Sequence, residues 1–173
     1  MGFSQRWLFA GGVVLCAGLL ATALYFQHVM GLEPCPLCIF QRVFVIVLGI
    51  LMLIAALHDP GRLWRRVYAA AILIVALLGV AVAGRHVWLQ NLPPDQVPEC
   101  GPGLEYMLDS FPLMQALEMV FKGSGECAEV QWTFLGLSIP AWTLIVFVGI
   151  AGVAVFLLVS RRGLPASSLV AQR

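Results

Sequence analysis

Four stretches of this chain are too long and too apolar for the surface helices of a soluble domain: residues 7–26, 39–57, 67–89 and 139–159. A transmembrane helix needs roughly 20 predominantly apolar residues, within a range of about 17 to 25. Inside lipid, a continuous helix satisfies every backbone hydrogen bond within its own segment. Composition agrees: 61% of the 173 residues are hydrophobic and 11% are charged, against roughly 25% charged in an average soluble domain. Mean hydropathy is +0.93. No internal repeat or low-complexity tract divides the chain. The expectation is an all-α protein with one membrane domain over 1–173, an antiparallel four-helix bundle with loops at 27–38 and 90–138.

The first run also has features of a secretory signal, because Arg6 precedes it and Ala21, Thr22 and Ala23 have the small-x-small form of a cleavage site. It runs on to Phe26, past the usual apolar core of a signal, which favours a membrane helix. Arginines set the orientation. Arg6, the group Arg62, Arg65 and Arg66, and the group Arg161, Arg162 and Arg173 fall on one side, whereas the other two loops hold only Lys122 in their interiors. By the positive-inside rule both termini face the cytoplasm. Loops 27–38 and 90–138 then face outward with eight of the nine acidic residues, and the setting expected is a bacterial inner membrane with these loops periplasmic.

That orientation sends four of the five cysteines, Cys35, Cys38, Cys100 and Cys127, to the outer, oxidising side, where disulfides persist. Four cysteines allow three connectivities; Cys35 with Cys38, plus Cys100 with Cys127, is the preferred one. Cys16, inside the first helix, reads as a small buried hydrophobe. The Cys100 and Cys127 pair would by default be a staple closing a loop. Its flanks are turn-forming, with Pro93, Pro94, Pro98, Gly101, Pro102 and Gly103 near one cysteine and Gly123 and Gly125 near the other. In such a setting a disulfide is reachable by another protein's thiolate.

For Cys35 and Cys38, haem attachment fails because Ile39, not histidine, follows the second cysteine. Tetrahedral zinc needs four ligands, which Cys100, Cys127 and His28 would have to complete, and an oxidising compartment opposes free thiolates. A redox disulfide is the main reading, with no resident metal expected. If the second helix begins near Cys38, that sulfur sits at a helix N-terminus, and Arg42 lies one turn on, on the same face. Both effects favour a thiolate at Cys38. An arginine just inside an apolar run is costly unless it pairs or snorkels. Its planar donors suit the carbonyl oxygens of a lipid-phase electron acceptor such as a quinone, and His86 at the outer end of the third helix supplies a further donor at similar depth.

The long outer loop is expected to carry a short amphipathic helix. Ser110 is its candidate cap, Pro112 suits its first turn and Gly123 its end, with Leu113, Met114, Leu117, Val120 and Phe121 as an apolar stripe.

The runs Pro34-Cys-Pro-Leu-Cys-Ile-Phe-Gln-Arg42 and Gly125-Glu-Cys-Ala-Glu-Val-Gln-Trp-Thr-Phe-Leu-Gly-Leu-Ser-Ile-Pro-Ala-Trp142, with the proline-rich approach to Cys100, resemble the disulfide bond formation protein B (DsbB) family of bacterial inner-membrane thiol oxidases. The likeness covers most of the chain and is loosest between Cys100 and Cys127. It implies an oxidoreductase serving the route that keeps the periplasm oxidising. A reduced thioredoxin-like oxidase of the DsbA type would attack the Cys100 and Cys127 disulfide at Cys100, and Cys127 would then attack Cys35. Cys38 would pass electrons to a bound ubiquinone or menaquinone, with Arg42 and His86 as quinone-associated residues. The partners implied are that oxidase, the quinone pool and the bilayer, and no nucleic acid. Two alternatives are a quinone-linked enzyme of the vitamin K epoxide reductase type, whose usual fused thioredoxin-like domain and cysteine order are absent, and an envelope scaffold with inert disulfides.

Overall fold

The computed structural model describes residues 3–93, 95–98, 106, 109–112, 114, 115, 118, 120, 123 and 125–160. Four long helices dominate: α1 (Phe3–His28), α2 (Pro36–His58), α3 (Arg62–Gln90) and α5 (Ile139–Val159). The described residues between α3 and α5 include a single turn, α4 (Gly125–Ala128), and two short strands, β1 (Thr133–Phe134) and β2 (Leu137–Ser138). All four long helices are long and apolar enough to cross a membrane, so the chain is a multi-pass membrane protein.

Helix boundaries differ from the apolar runs at polar ends. α3 begins at Arg62, five residues before the expected start, because Trp64, Arg65 and Arg66 form helix readily at an interface without being immersed in lipid. α2 begins at Pro36 rather than near Cys38. Proline suits the first turn because its missing N–H would be unpaired there anyway, and the Cys35 sulfur accepts the backbone N–H of Cys38 at 3.4 Å.

α1 packs on α2, α2 on α3, and α3 most extensively on α5. The core of these contacts joins Phe9, Cys16, Leu48, Met52, Ala76 and Phe147. Small residues permit the approach. A Cβ at Gly79 would stand 2.7 Å from the Phe147 ring, and one at Gly49 would stand 3.3 Å from the Cys16 Cβ. Cys16, buried in this cluster, thus packs as the small hydrophobe its sequence setting suggests. The outward faces carry exposed Val14, Leu57, Ile74 and Phe156, which is where lipid chains replace protein neighbours.

Up-and-down connectivity brings the end of α1, the start of α2, the end of α3 and the start of α5 to one end, the cysteine end. There a second cluster packs Cys35, Leu37, Val82, Leu89, Val120 and Cys127 together. The expected helix of the long loop lies partly outside the described residues, including Leu113, Leu117, Phe121 and Lys122. Met114, Gln115, Glu118 and Val120 are helical, with Val120 buried and Met114 exposed. Gly123 ends the stretch with φ +82°, and a side chain there would meet Leu89. This close approach delivers the chain to Cys127.

The strands, which hydropathy alone does not reveal, form a hairpin with Thr133 opposite Ser138 and Phe134 opposite Leu137. Its two central residues, Leu135 (φ 52°) and Gly136 (φ 79°), have the paired positive φ of a type I′ turn, the geometry whose twist matches a two-residue hairpin.

Candidate active site

The first turn of α2 builds the centre of the site. As the N-cap residue, Cys35 is extended (φ −65°, ψ 162°), which turns its sulfur back over the helix end. Cys38, three residues on, brings its Sγ to 2.9 Å from Cys35 Sγ. The sulfur at the helix terminus is therefore that of Cys35, not Cys38 as the later helix start would have it, because the helix starts two residues earlier. Cys35 is buried and Cys38 half-buried.

On one side Cys35 meets His86 from α3 and Cys127 from α4. Cys35 Sγ lies 3.7 Å from His86 Nε2, and the ligating atoms of Cys35, His86 and Cys127 all fall within 4.8 Å of one another. His86 is 2% exposed and Cys127 fully buried. Gln41, one turn after Leu37 and 5% exposed, directs its amide nitrogen at His86 Nδ1 over 3.0 Å. Since that nitrogen is a donor, Nδ1 accepts, and the neutral ring carries its proton on Nε2, toward the Cys35 sulfur. A capping N–H and an imidazole N–H thus converge on the Cys35 sulfur. A cavity of about 30 Å³ adjoins these groups, and Glu33, Glu126 and Glu129 stand in its wall.

On the other side Cys38 opens onto a larger cleft of about 280 Å³, lined also by Gln41 and Arg42 and by residues of α1 and α5. Four aromatic rings in its lining form a chain. Phe26 is 4.8 Å from Trp132, Trp132 stacks on Phe134 at 6.0 Å, and Phe134 is 6.1 Å from Trp142. Trp142 donates its indole N–H to the Phe134 carbonyl at 3.1 Å. Ser138, heading α5, donates to Gln90 Oε1 at 2.6 Å, and the Gln131 amide reaches the Glu33 carbonyl at 3.4 Å. These bonds tie the hairpin to α3 and to the approach to α2. Arg42 donates to Gln27 Oε1, and to the Ala23 carbonyl at 3.2 Å, so its guanidinium links α2 to α1 while forming part of the cleft wall.

A family profile described as Disulfide bond formation protein DsbB matches residues 5–157. Disulfide bond formation protein B of Nitrosococcus oceani is 60% identical over 147 residues, 85% of this chain and 87% of that protein. Proteins of the same name from Saccharophagus degradans and Methylococcus capsulatus are 54% and 55% identical, covering 86% and 85% of this chain and 87% and 90% of their own lengths. The chain belongs to the DsbB family. Membership sets aside the vitamin K epoxide reductase alternative.

Of the residues singled out from sequence in this DsbB-family chain, Cys35, Cys38, Cys127 and His86 come together around the head of α2, and Arg42 lies on the cleft side. Cys100 lies outside the described residues. His86 is not among the cleft's lining residues but borders the small cavity, one hydrogen bond away from the cleft through Gln41. Sequence reasoning passed over Gln41 itself. Its position three after Cys38 and one before Arg42 was a signal, since a glutamine at a buried helical position needs a polar partner. The aromatic chain was equally open to view as Trp132, Phe134 and Trp142, although only the hairpin turns three of its rings into one lining.

Proposed function

We propose that the protein is a membrane thiol:quinone oxidoreductase that reoxidises a periplasmic thioredoxin-like dithiol oxidase of the DsbA type, in support of disulfide bond formation. The observation that carries this reading is the position of Cys35 between two different neighbours. Cys127, from the outer loop, lies within 4.8 Å, and Cys38, which borders the apolar cleft, lies 2.9 Å away.

The reaction is a chain of thiol–disulfide exchanges in which each new S–S bond releases one thiolate. A partner thiolate attacks the Cys100–Cys127 disulfide at Cys100, and Cys127 leaves. The partner's second thiolate then resolves the mixed disulfide, so the partner leaves oxidised by two electrons and Cys100 is left as a thiol. Cys127 attacks Cys35 of the Cys35–Cys38 disulfide and Cys38 leaves as a thiolate facing the cleft; Cys100 then attacks Cys127 of the new Cys35–Cys127 disulfide, which restores the Cys100–Cys127 bond and releases Cys35, so that Cys35 and Cys38 together hold the two electrons as thiols. His86 Nε2–H and the Cys38 N–H steady charge on Cys35 whenever that sulfur is the one released. Gln41 holds the His86 ring in the tautomer that can do so.

The cleft residues fit a planar, mostly apolar carrier with carbonyl oxygens. Aromatic faces are offered by Trp132, Phe134 and Trp142, Arg42 stands among them as a donor, and the cleft borders both α1 and α5, two helices that do not pack closely on each other. A bound quinone supplies the acceptor for two electrons and two protons, so the net change is partner dithiol plus quinone to partner disulfide plus quinol. Ubiquinone and menaquinone both meet this description. The positive-inside assignment adds the orientation, with the cysteine end periplasmic and both termini cytoplasmic.

The decisive experiment gives purified protein a quinone and a reduced thioredoxin-like partner, and follows partner oxidation and quinol formation together. The two should advance one for one. Cys100→Ala should stop partner oxidation while leaving Cys35 and Cys38 reactive; turnover of the partner at the normal rate by that variant would show the two-disulfide relay to be wrong.

A further inference from the structure

The thiol side of the site combines three features that also suit a metal ion once the thiols are reduced. Two buried cysteines and a buried histidine, from α2, α4 and α3, bring their donor atoms within 4.8 Å. The histidine is held from behind by an amide. The adjoining small cavity has three carboxylate residues, Glu33, Glu126 and Glu129, in its wall, each of them exposed.

A tetrahedral zinc ion with Zn–S of about 2.3 Å and Zn–N of about 2.0 Å sets its ligand atoms about 3.6 to 3.8 Å apart. Cys35 Sγ and His86 Nε2 already stand 3.7 Å apart. Cys38 Sγ, 2.9 Å from Cys35 Sγ and in the wall of the same small cavity, lies outside the cluster of three and must move toward it to act as the fourth donor. Ligation through Nε2 leaves the ring proton on Nδ1, and Gln41 accepts it there by turning its amide over. Such an outer partner is the usual companion of a ligating histidine.

We propose that the fully reduced protein binds one soft divalent cation of the zinc class between Cys35, His86 and Cys127, with Cys38 as fourth ligand, and that binding arrests its reoxidation. Each ligating thiol gives up a proton to solvent and no electron moves. The carboxylates attract the cation to the cavity, and disulfide formation at any of the three cysteines removes its ligands, so the site exists only in the reduced state. Only the arrest rests on the relay proposed above; the site itself rests on the geometry. It differs from the set conceivable from sequence in having His86 where His28 was the candidate histidine, and in leaving out Cys100.

The test uses the full chain, reduced and depleted of quinone, titrated with Co²⁺ and then Zn²⁺. One Co²⁺ per chain should bind with thiolate-to-metal absorption, be displaced by Zn²⁺, and fail to bind once the thiols are reoxidised. His86→Ala and Cys127→Ser should each weaken binding by at least about tenfold, and Gln41→Leu should do so by about tenfold. Absence of a thiolate band from the reduced protein, its survival at full affinity in both ligand variants, or equal binding by the oxidised protein would each overturn the proposal, the last pointing to a carboxylate site alone. Should the variants fail to fold, the unaltered protein still decides. Zn²⁺ must shield Cys35, Cys38 and Cys127 from alkylation together while Cys100 stays reactive, and shielding of Cys100 instead refutes the assignment. No partner or quinone enters these measurements, so their failure leaves the relay standing, and failure of quinone turnover leaves the metal site standing. In the turnover assay, Zn²⁺ should slow quinol formation and a chelator should restore it.

Discussion

Cys35 and Cys38 are separated by less than one helical turn yet serve unlike surroundings. The Cys35 side is small, with an imidazole and carboxylates around a cavity of about 30 Å³ that Cys38 also borders, and Cys127 close by. The Cys38 side is a cleft of about 280 Å³ bordered by aromatic rings, α1, α5 and a single guanidinium. Two residues at i and i+3 share one face of a helix, and here that face straddles the boundary between two compartments of the site. In the relay proposed above, a disulfide across it is the shortest covalent path between the outer-loop thiol and the carrier. The helix terminus makes the two sulfurs unequal, since only Cys35 caps the backbone.

The largest expected effect comes from deleting the lipid-side sulfur. Cys38→Ser should reduce quinol formation by more than about 10³-fold, while a Cys35–Cys127 disulfide accumulates on exposure to an oxidised partner, readable by mass after alkylation. If quinol still forms at a comparable rate, the two sides are not divided between the two sulfurs. Next comes the guanidinium. Arg42→Leu should raise the quinone concentration needed for half-maximal rate by about 10- to 100-fold, on the scale of a lost charge-assisted hydrogen bond, with exchange between partner and protein unchanged in stopped-flow. An unaltered quinone dependence would remove Arg42 from the lipid side.

His86→Phe should affect the opposite half. It is expected to slow the release of Cys35 from its disulfide with Cys127 by about tenfold, roughly one hydrogen bond's worth of charge stabilisation, while the quinone concentration for half-maximal rate shifts little. A pure rise in that concentration would instead make His86 a cleft residue. The smallest effects concern the walls. Gly79→Ala forces a Cβ into the Phe147 ring, which stands 2.7 Å from that position, and should cost about 1 to 3 kcal/mol, measured as a lowered unfolding temperature in detergent. Trp142→Phe keeps the ring and loses the bond to the Phe134 carbonyl, at about 1 kcal/mol. It should loosen the quinone side without changing the thiol side.

How much of this could be read from the chain follows from what each signal depends on. The four spans depend on apolar run length, which lipid enforces locally, so residues 139–159 come out the same from sequence and structure. The polar ends of α2 and α3 depend on capping and interfacial helix, and there the runs stop short. The convergence of Cys127 on Cys35 is a tertiary event: it needs the positive φ of Gly123, which sets the chain against Leu89. Arg42 and Cys38 sit on one helix, and one helical repeat is enough to pair them. Gln41 and His86 sit on different helices, and no periodicity within either could announce their bond.

The turn at Leu135 and Gly136 also governs the ceiling of the cleft. A leucine in the left-handed region is strained by roughly 1 to 2 kcal/mol, and Leu135 projects outward at 78% exposure, so the position answers to the handedness of the hairpin rather than to burial. Phe134 and the carbonyl that receives Trp142 hang directly from that turn. Headroom over the cleft is therefore set by two backbone angles remote from any wall side chain. The cleft therefore has an adjustment that spares Cys38, Arg42 and the rings on α1 and α5: change the length or chirality of this one loop, and Phe134 is raised or lowered against Trp142.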